Sequence, residues 1–237
     1  MALTPSRFTV DAAIAGALRL ANPPPLLLGS QSASRRAILT ASGAEFKTLV
    51  PDIDEKAIGD RLQDQPAALV RAIAVAKSDA LVARLGGGEH DASLPEGLLP
   101  LSPGTVLLTS DQVVTYQGTI REKPTDLAQA REFVQSYATA PCGTCGGYCL
   151  HDIDSGERVI ADDSTSIVFQ EDLPAEVVDA VVATEELMWC AGALMIEHPA
   201  WSPYIKEVVG GLDSVMGLNM TLIARMLEEL RAKISSS

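Results

Sequence analysis

Cations are scarce in this chain. Its 18 Lys and Arg stand against 31 Asp and Glu, a formal net charge of −13 at pH 7. Phosphate-driven binding of DNA or RNA needs clustered Lys and Arg that displace counterions, so a nucleic-acid polymer is not an expected partner. A small nucleotide is still allowed, because a few cations focused in one cleft can hold phosphates whatever the global charge. Long apolar runs are missing too. None approaches the roughly 18 residues of a membrane span, and Met1 to Pro25 lacks the compact apolar core of a secretory signal. A cytoplasmic protein with no membrane partner is expected. Four cysteines in 237 residues are too few for a disulfide scaffold. Cys142, Cys145 and Cys149 cluster ahead of His151, and Cys-x-x-Cys spacing suits zinc. No second paired knuckle accompanies them, which argues against a zinc ribbon. Finally, the Gly- and Pro-rich stretch 86–104 has no Gly-Lys-Ser or Gly-Lys-Thr ending, so it reads as an inserted loop and not a phosphate-binding loop.

What is present suffices for one functional unit, with 47% hydrophobic residues. Residues 1–25 read as an N-terminal extension: a short helix over 11–20, then Asn22-Pro23-Pro24-Pro25, which helices and strands both refuse. The domain spans 26–233. Leu26-Leu27-Leu28 predicts a buried strand, followed by a helix from Ser34 to Ala41 that Gly43 stops. Asp64 is placed to cap a helix with Pro66 in its first turn, running to Leu85. Thr105 to Thr109 predicts a strand delivering Ser110-Asp111-Gln112 and continuing to a turn at Gly118. Asp126 caps a helix with Leu127, Ala130, Val134 and Tyr137 on one face. Ser166–Phe169 reads as a strand, Pro174–Ala183 as a helix, and Leu218–Lys233 as a last helix turning Ile223, Met226, Leu227 and Leu230 inward. Alternating strands and helices favour an α/β fold.

Two arginines, Arg35 and Arg36, fall in the first turn of the helix after Gly29-Ser30-Gln31-Ser32-Ala33-Ser34. Cations at a helix N-terminus are unfavourable by roughly 0.3–1 kcal/mol each. They make sense if an anion docks there, on the free amides, the hydroxyls of Ser30 and Ser32 and two guanidinium forks. The alternative is that the serines only cap and the arginines face solvent. Lys77 sits in the apolar stripe of its helix, among Val70, Ile73, Ala80 and Leu81, and so needs a partner or a route to solvent. Asp52, Asp54, Glu55 and Asp111 are carboxylates that can share a hard divalent cation, Mg²⁺ or Mn²⁺, while one of them activates water. Lys123-Pro124 adds a point charge on a rigid turn.

The run Leu-Gly-Ser-Gln-Ser-Ala-Ser-Arg-Arg, the Asp54-Glu55 pair, Lys77, Ser110-Asp111-Gln112-Val113, Lys123-Pro124 and a late Gly-Leu resemble, in that order, the motifs of the Maf (septum-formation) family. The resemblance covers about Leu26 to Leu230. It implies an α/β, Maf/inosine-triphosphatase-like mixed-sheet architecture with two lobes around an active cleft, often as a homodimer. It implies a hydrolase that converts a nucleoside triphosphate to the monophosphate and pyrophosphate with a divalent metal. By resemblance Ser30, Ser32, Arg35, Arg36 and Lys77 bind phosphate, Lys123 assists catalysis, Asp111 accepts a proton, and Glu55 with Asp111 holds the metal.

The family divides by substrate. Gln112 and Glu197 stand where the 7-methyl-GTP branch has Gln and Glu and the dTTP/UTP branch has Thr and Gln. A carboxylate can accept from the N1–H and amino group of a guanine edge, so a modified purine with a house-cleaning role is expected. At the third specificity position Ser34 replaces the Trp or Arg of the two branches, which removes a stacking platform for the base. The alternatives are a dTTP/UTP pyrophosphatase and a nucleotide-binding regulator of cell division with vestigial hydrolysis.

Overall fold

The computed structural model describes residues 19–86 and 94–236. The expected helix over 11–20 lies almost wholly outside them, as do residues 87–93 of the loop. β1 (Leu26–Gly29) is apolar and buried on both faces, as a central parallel strand must be. It pairs in parallel with β2 (Phe46–Thr48) on one side and β3 (Val106–Tyr116) on the other. β3 pairs antiparallel along its whole length with β5 (Cys142–Asp152), and β4 (Thr119–Arg121) folds back on β3 as a hairpin. β6 (Arg158–Ser164) runs antiparallel on β5. β7 (Ser166–Phe169) meets β5 at Cys142 and pairs with β8 (Ile205–Val209). The strand order β2-β1-β3-β5-β7-β8 is a mixed sheet, as expected. Helices α1 (Ala33–Ala41), α2 (Pro66–Leu85), α3 (Leu127–Ser136), α4 (Ala175–Val182), α5 (Leu212–Val215) and α6 (Met220–Ser236) cover it.

Strand alternation sorts the faces. Leu26, Leu28, Val106 and Leu108 pack with Ile38 and Leu39 of α1 and with Ile223, Met226, Leu227 and Leu230 of α6. Leu27 and Leu107 point the other way, to Leu81 of α2. A separate core around Tyr137, Phe169 and Trp201 joins the far ends of β3 and β5 to α3 and α4. β3 and β5 therefore run through two lobes. The edge of β3 facing β1 is interrupted: the last pair with β1 is Gly29↔Thr109, and β4 takes up the same edge only at Val114↔Arg121. Ser110 to Val113 lie in the gap between, where a ligand can reach the strand.

Two local expectations are corrected, and the open question of the cysteine cluster is answered by the backbone. The residue flanking α2 is Gln65, which makes no side-chain cap, while the Asp64 carboxylate accepts from the Asp60 amide at 2.6 Å. The preceding tight turn has claimed the acid. Leu127 is 56% exposed because the apolar face of α3 starts a turn later, at Ala130. The cysteine cluster is drawn out along β5: Cys145 and Cys149 are four residues apart, about 13 Å at strand rise, and Cys142 faces the other lobe's core. No group of three or more His, Cys, Asp or Glu among the described residues is placed to hold a metal ion, so the cluster does not form a zinc knuckle.

Gly147 sets how closely α2 lies on the sheet, since a Cβ there would sit 2.4 Å from the Val70 carbonyl carbon. Gly147→Ala is expected to destabilise by roughly 1–3 kcal/mol through forced backbone movement, read as a lower urea midpoint; an unchanged midpoint would mean α2 is not seated this tightly. Burial also lowers the pKa of His151, whose Nδ1 meets Ser78 Oγ at 3.1 Å, and of His198, whose Nε2 meets Thr184 Oγ1 at 2.9 Å. The unfolded chain then takes up protons first. Their contribution is present above the ordinary imidazole value of 6.5 and is lost as pH falls below it. Thermal unfolding between about pH 7.5 and 5.5 should show the midpoint falling, and less so in a His151→Gln, His198→Gln double variant; equal slopes would contradict this.

Candidate active site

The gap in the sheet edge collects cations from both faces. Ser30 follows β1, and its Oγ accepts from the Ser32 amide at 3.1 Å; Ser32 Oγ in turn accepts from the Arg35 amide at 3.3 Å, capping α1. Both hydroxyls thus shape the turn that presents the helix N-terminus. The first turn of α1 holds no acid, so its arginines are not offset locally. Arg35 is pinned: Nη1 donates to the Ser110 carbonyl at 3.0 Å, and Nε lies 3.0 Å from where a Cβ on Gly217 would be. Any side chain at 217 would push on the guanidinium, and the backbone there has φ +112°. Arg36 is exposed and donates to the Gln31 carbonyl at 2.7 Å.

Lys77 comes from the opposite face, on α2. Its Nζ lies 2.9 Å from Asp111 Oδ1, 3.0 Å from Glu55 Oε1 and 3.4 Å from the Ser110 carbonyl. The lysine and Asp111 side chains are only 7% and 11% exposed, whereas Glu55 is 48% exposed. Burying such a pair is favourable only with good geometry and further hydrogen bonds. Here the ammonium's three donors have three acceptors. The lysine that the helical stripe singled out is therefore engaged with carboxylates and a carbonyl. Of the three acids after β2, Glu55 turns inward, Asp54 Oδ1 accepts from the Lys56 amide at 3.1 Å, and Asp52 is exposed.

The second lobe supplies the other rim. Lys123 is exposed, with Nζ 5.9 Å from the ring centre of Trp189. The Cys190 thiol is pushed up to about 11, mainly by burial, with the Glu197 carboxylate raising it further and Lys123 lowering it. Burial raises the pKa of Glu197 as well. Gln112, on the opposite pleat from Asp111, donates from Nε2 to the Ser214 carbonyl at 2.8 Å. Ser34 is half-buried on α1. The structure thus brings together Ser30, Ser32, Arg35, Lys77, Glu55 and Asp111 at the gap. Lys123 and Glu197 lie outside that group, and Gln112 faces α5.

Sequence reasoning missed three contributors. Asp163 on β6 accepts from Tyr148 Oη at 3.0 Å, from Asn219 Nδ2 at 2.7 Å and from Ser214 Oγ, and so docks the segment that carries Gly217. Trp189 is 74% exposed beside Lys123. Arg61 ties the Glu55 turn to Glu122. Polar residues in irregular segments leave no periodic trace, so only position in space reveals them.

Fixed cations at a helix N-terminus, facing a buried and a half-exposed carboxylate across a break in an α/β sheet, define a protein built to handle a phosphate-bearing small molecule. Residues 25–230 match the Maf family, described as Maf-like protein, and the chain belongs to that family. It is 32% identical over 206 residues to a 7-methyl-GTP pyrophosphatase of Dictyostelium discoideum, covering 87% of this chain and 97% of that protein. It is 29% identical over 210 residues to a nucleoside triphosphate pyrophosphatase of Salinispora tropica, covering 89% and 85%. It is 24% identical over 216 residues to a dTTP/UTP pyrophosphatase of Bacillus anthracis, covering 89% and 97%.

Removing the lysine would leave Asp111 buried without its counter-charge. Lys77→Met is expected to cost about 3–5 kcal/mol, and the Lys77→Met, Asp111→Asn double variant to regain much of that. Urea unfolding of the three proteins tests this; a Lys77→Met protein as stable as the parent would show that the pair is not buried as described.

Proposed function

We propose that this chain is a nucleoside triphosphate pyrophosphatase that hydrolyses an NTP to the NMP and pyrophosphate and favours a modified purine such as 7-methyl-GTP. The observation that carries the reading is Asp111. It stands in the sheet gap, bonded to the buried Lys77 and flanked by Arg35 and the N-terminus of α1. Water attacks the α-phosphorus, an O–P bond forms, the α–β bridging P–O bond breaks, and pyrophosphate leaves with its electron pair. Asp111 takes the proton from the attacking water. Its bond to Lys77 keeps the carboxylate aimed. Arg35, Arg36, the amides after Ser30 and Ser32, and Lys123 carry the triphosphate's charge, and Lys123 neutralises the leaving group.

Asp111 and Glu55 share one ammonium, so two hard oxygen donors already converge, which fits Mg²⁺ or Mn²⁺ completed by substrate oxygens and water. Such an ion, when bound, supplies Lewis-acid neutralisation of the phosphate oxygens. Glu197 and Gln112 are the candidate readers of the base, the carboxylate accepting from a guanine edge; Ser34 supplies no aromatic wall for it. A homodimer belongs to the same proposal and rests on the family resemblance; a cytoplasmic location belongs to it too. No helix among the described residues is long and apolar enough to cross a membrane.

The test is pyrophosphate release from 7-methyl-GTP, GTP, dTTP and UTP with Mg²⁺ or Mn²⁺. The expected kcat/KM favours 7-methyl-GTP over UTP by about tenfold or more, and Glu197→Gln narrows that ratio by a similar factor. Preference for dTTP or UTP in the parent enzyme would replace the purine reading with the pyrimidine one. No turnover of any triphosphate would sink the enzyme reading and leave a nucleotide-binding regulator.

A further inference from the structure

Glu55 reaches the buried lysine from a turn with little apolar anchoring of its own. The turn Glu55–Ala57 contains no buried residue, and only Ile58 at its end packs on the core around Leu69 and Val113. Its polar restraint comes from Arg61. Arg61 Nη2 donates to the Glu55 carbonyl at 2.8 Å, Nη1 donates to the Ile58 carbonyl, and Nε donates to Glu122 Oε1 at 3.1 Å. The guanidinium thus grips the chain on both sides of the turn. Glu122 is itself fixed, since its carbonyl accepts from the Gly192 amide at 2.8 Å, and Gly192 belongs to the segment that packs on the second lobe. Arg61 is 18% exposed and Glu122 41%, so the pair sits at the rim and not in the core.

We infer that Arg61 is a positioning residue: it holds Glu55 against Lys77 and fastens that turn, across the gap in the sheet, to the segment that carries Lys123. Three acceptors in three directions call for a planar fork with donors on each nitrogen, which lysine does not offer. A rim ion pair contributes little to global stability, so the effect of losing it is local. The kinetic part of the inference rests on the pyrophosphatase reading.

The test uses the full chain with Arg61→Ala, Arg61→Lys, Glu122→Gln, Glu55→Gln and the Arg61→Ala, Glu55→Gln double variant. Arg61→Ala should lower kcat/KM about 10–100-fold, chiefly through kcat, as loss of a group that orients a reacting side chain does. Arg61→Lys should not restore it. In the Glu55→Gln background Arg61→Ala should add almost nothing, because both changes remove the same contribution. Amide exchange over residues 55–58 should quicken in Arg61→Ala while that of β5 stays unchanged. Glu122→Gln, which keeps the side-chain shape, should give the same pattern in weaker form and guards against a folding defect in the alanine variant. Full activity with parental exchange in Arg61→Ala would overturn the inference, as would losses that multiply in the double variant. If the parent protein turns over no triphosphate, the functional reading fails, and the exchange measurement still decides whether Arg61 holds the Glu55 turn.

Discussion

The carbonyl of Ser110 has two cations on it, and the site depends on that meeting. β1 stops pairing with β3 at Thr109 and β4 begins only at Val114, so this edge of the strand has no neighbour where Ser110 lies. A buried backbone acceptor needs a partner. Arg35 arrives from the α1 face at 3.0 Å and Lys77 from the α2 face at 3.4 Å. A break in the sheet thereby becomes a point where positive charge from two layers is concentrated, in a protein whose overall charge is strongly negative. The same lysine holds Asp111 and Glu55, which keeps the buried Asp111 from standing unpaired.

Each cation is supported by packing elsewhere. Lys77 is brought to the strand because α2 sits close on β5 over Gly147 and the stripe of Leu69, Val70 and Ile73 is buried against Val113 and Cys145. Arg35 lies on Gly217, and the loop carrying that glycine is tied to the sheet through Asp163, Ser214 and Asn219. The first lobe thus provides a rigid cationic wall. The second contributes Lys123 and Glu197 from short turns with little regular structure, as functional residues carried on loops of a rigid scaffold commonly are.

Much of this was legible in the residues. The triple-leucine strand, the Asp126 cap, the inward face of the last helix and the strand delivering Asp111 all follow from periodicity and capping, and the structure agrees. Lys77 stood out because a cation in an apolar stripe needs a partner, and it has two. Other features could not be read. Whether Cys142, Cys145 and Cys149 form a knuckle depends on the backbone being turned or extended, and pairing with β3 along the whole strand holds it extended. Asp64 had the right type and position for a cap, but competition from the Asp60 turn is a matter of geometry. Arg61 meets Glu122 across 61 residues of sequence, and Asp163 meets Ser214 and Asn219 across 51 and 56, and no local pattern carries such information.

The most direct measurement is phosphorus NMR of 7-methyl-GTP incubated with the parent protein and with Asp111→Asn in the presence of Mg²⁺. The account predicts equal amounts of the monophosphate and pyrophosphate from the parent, without accumulation of the diphosphate, and a loss of rate of about 100-fold or more in Asp111→Asn. Release of orthophosphate with the diphosphate, or an Asp111→Asn protein as fast as the parent, would contradict it.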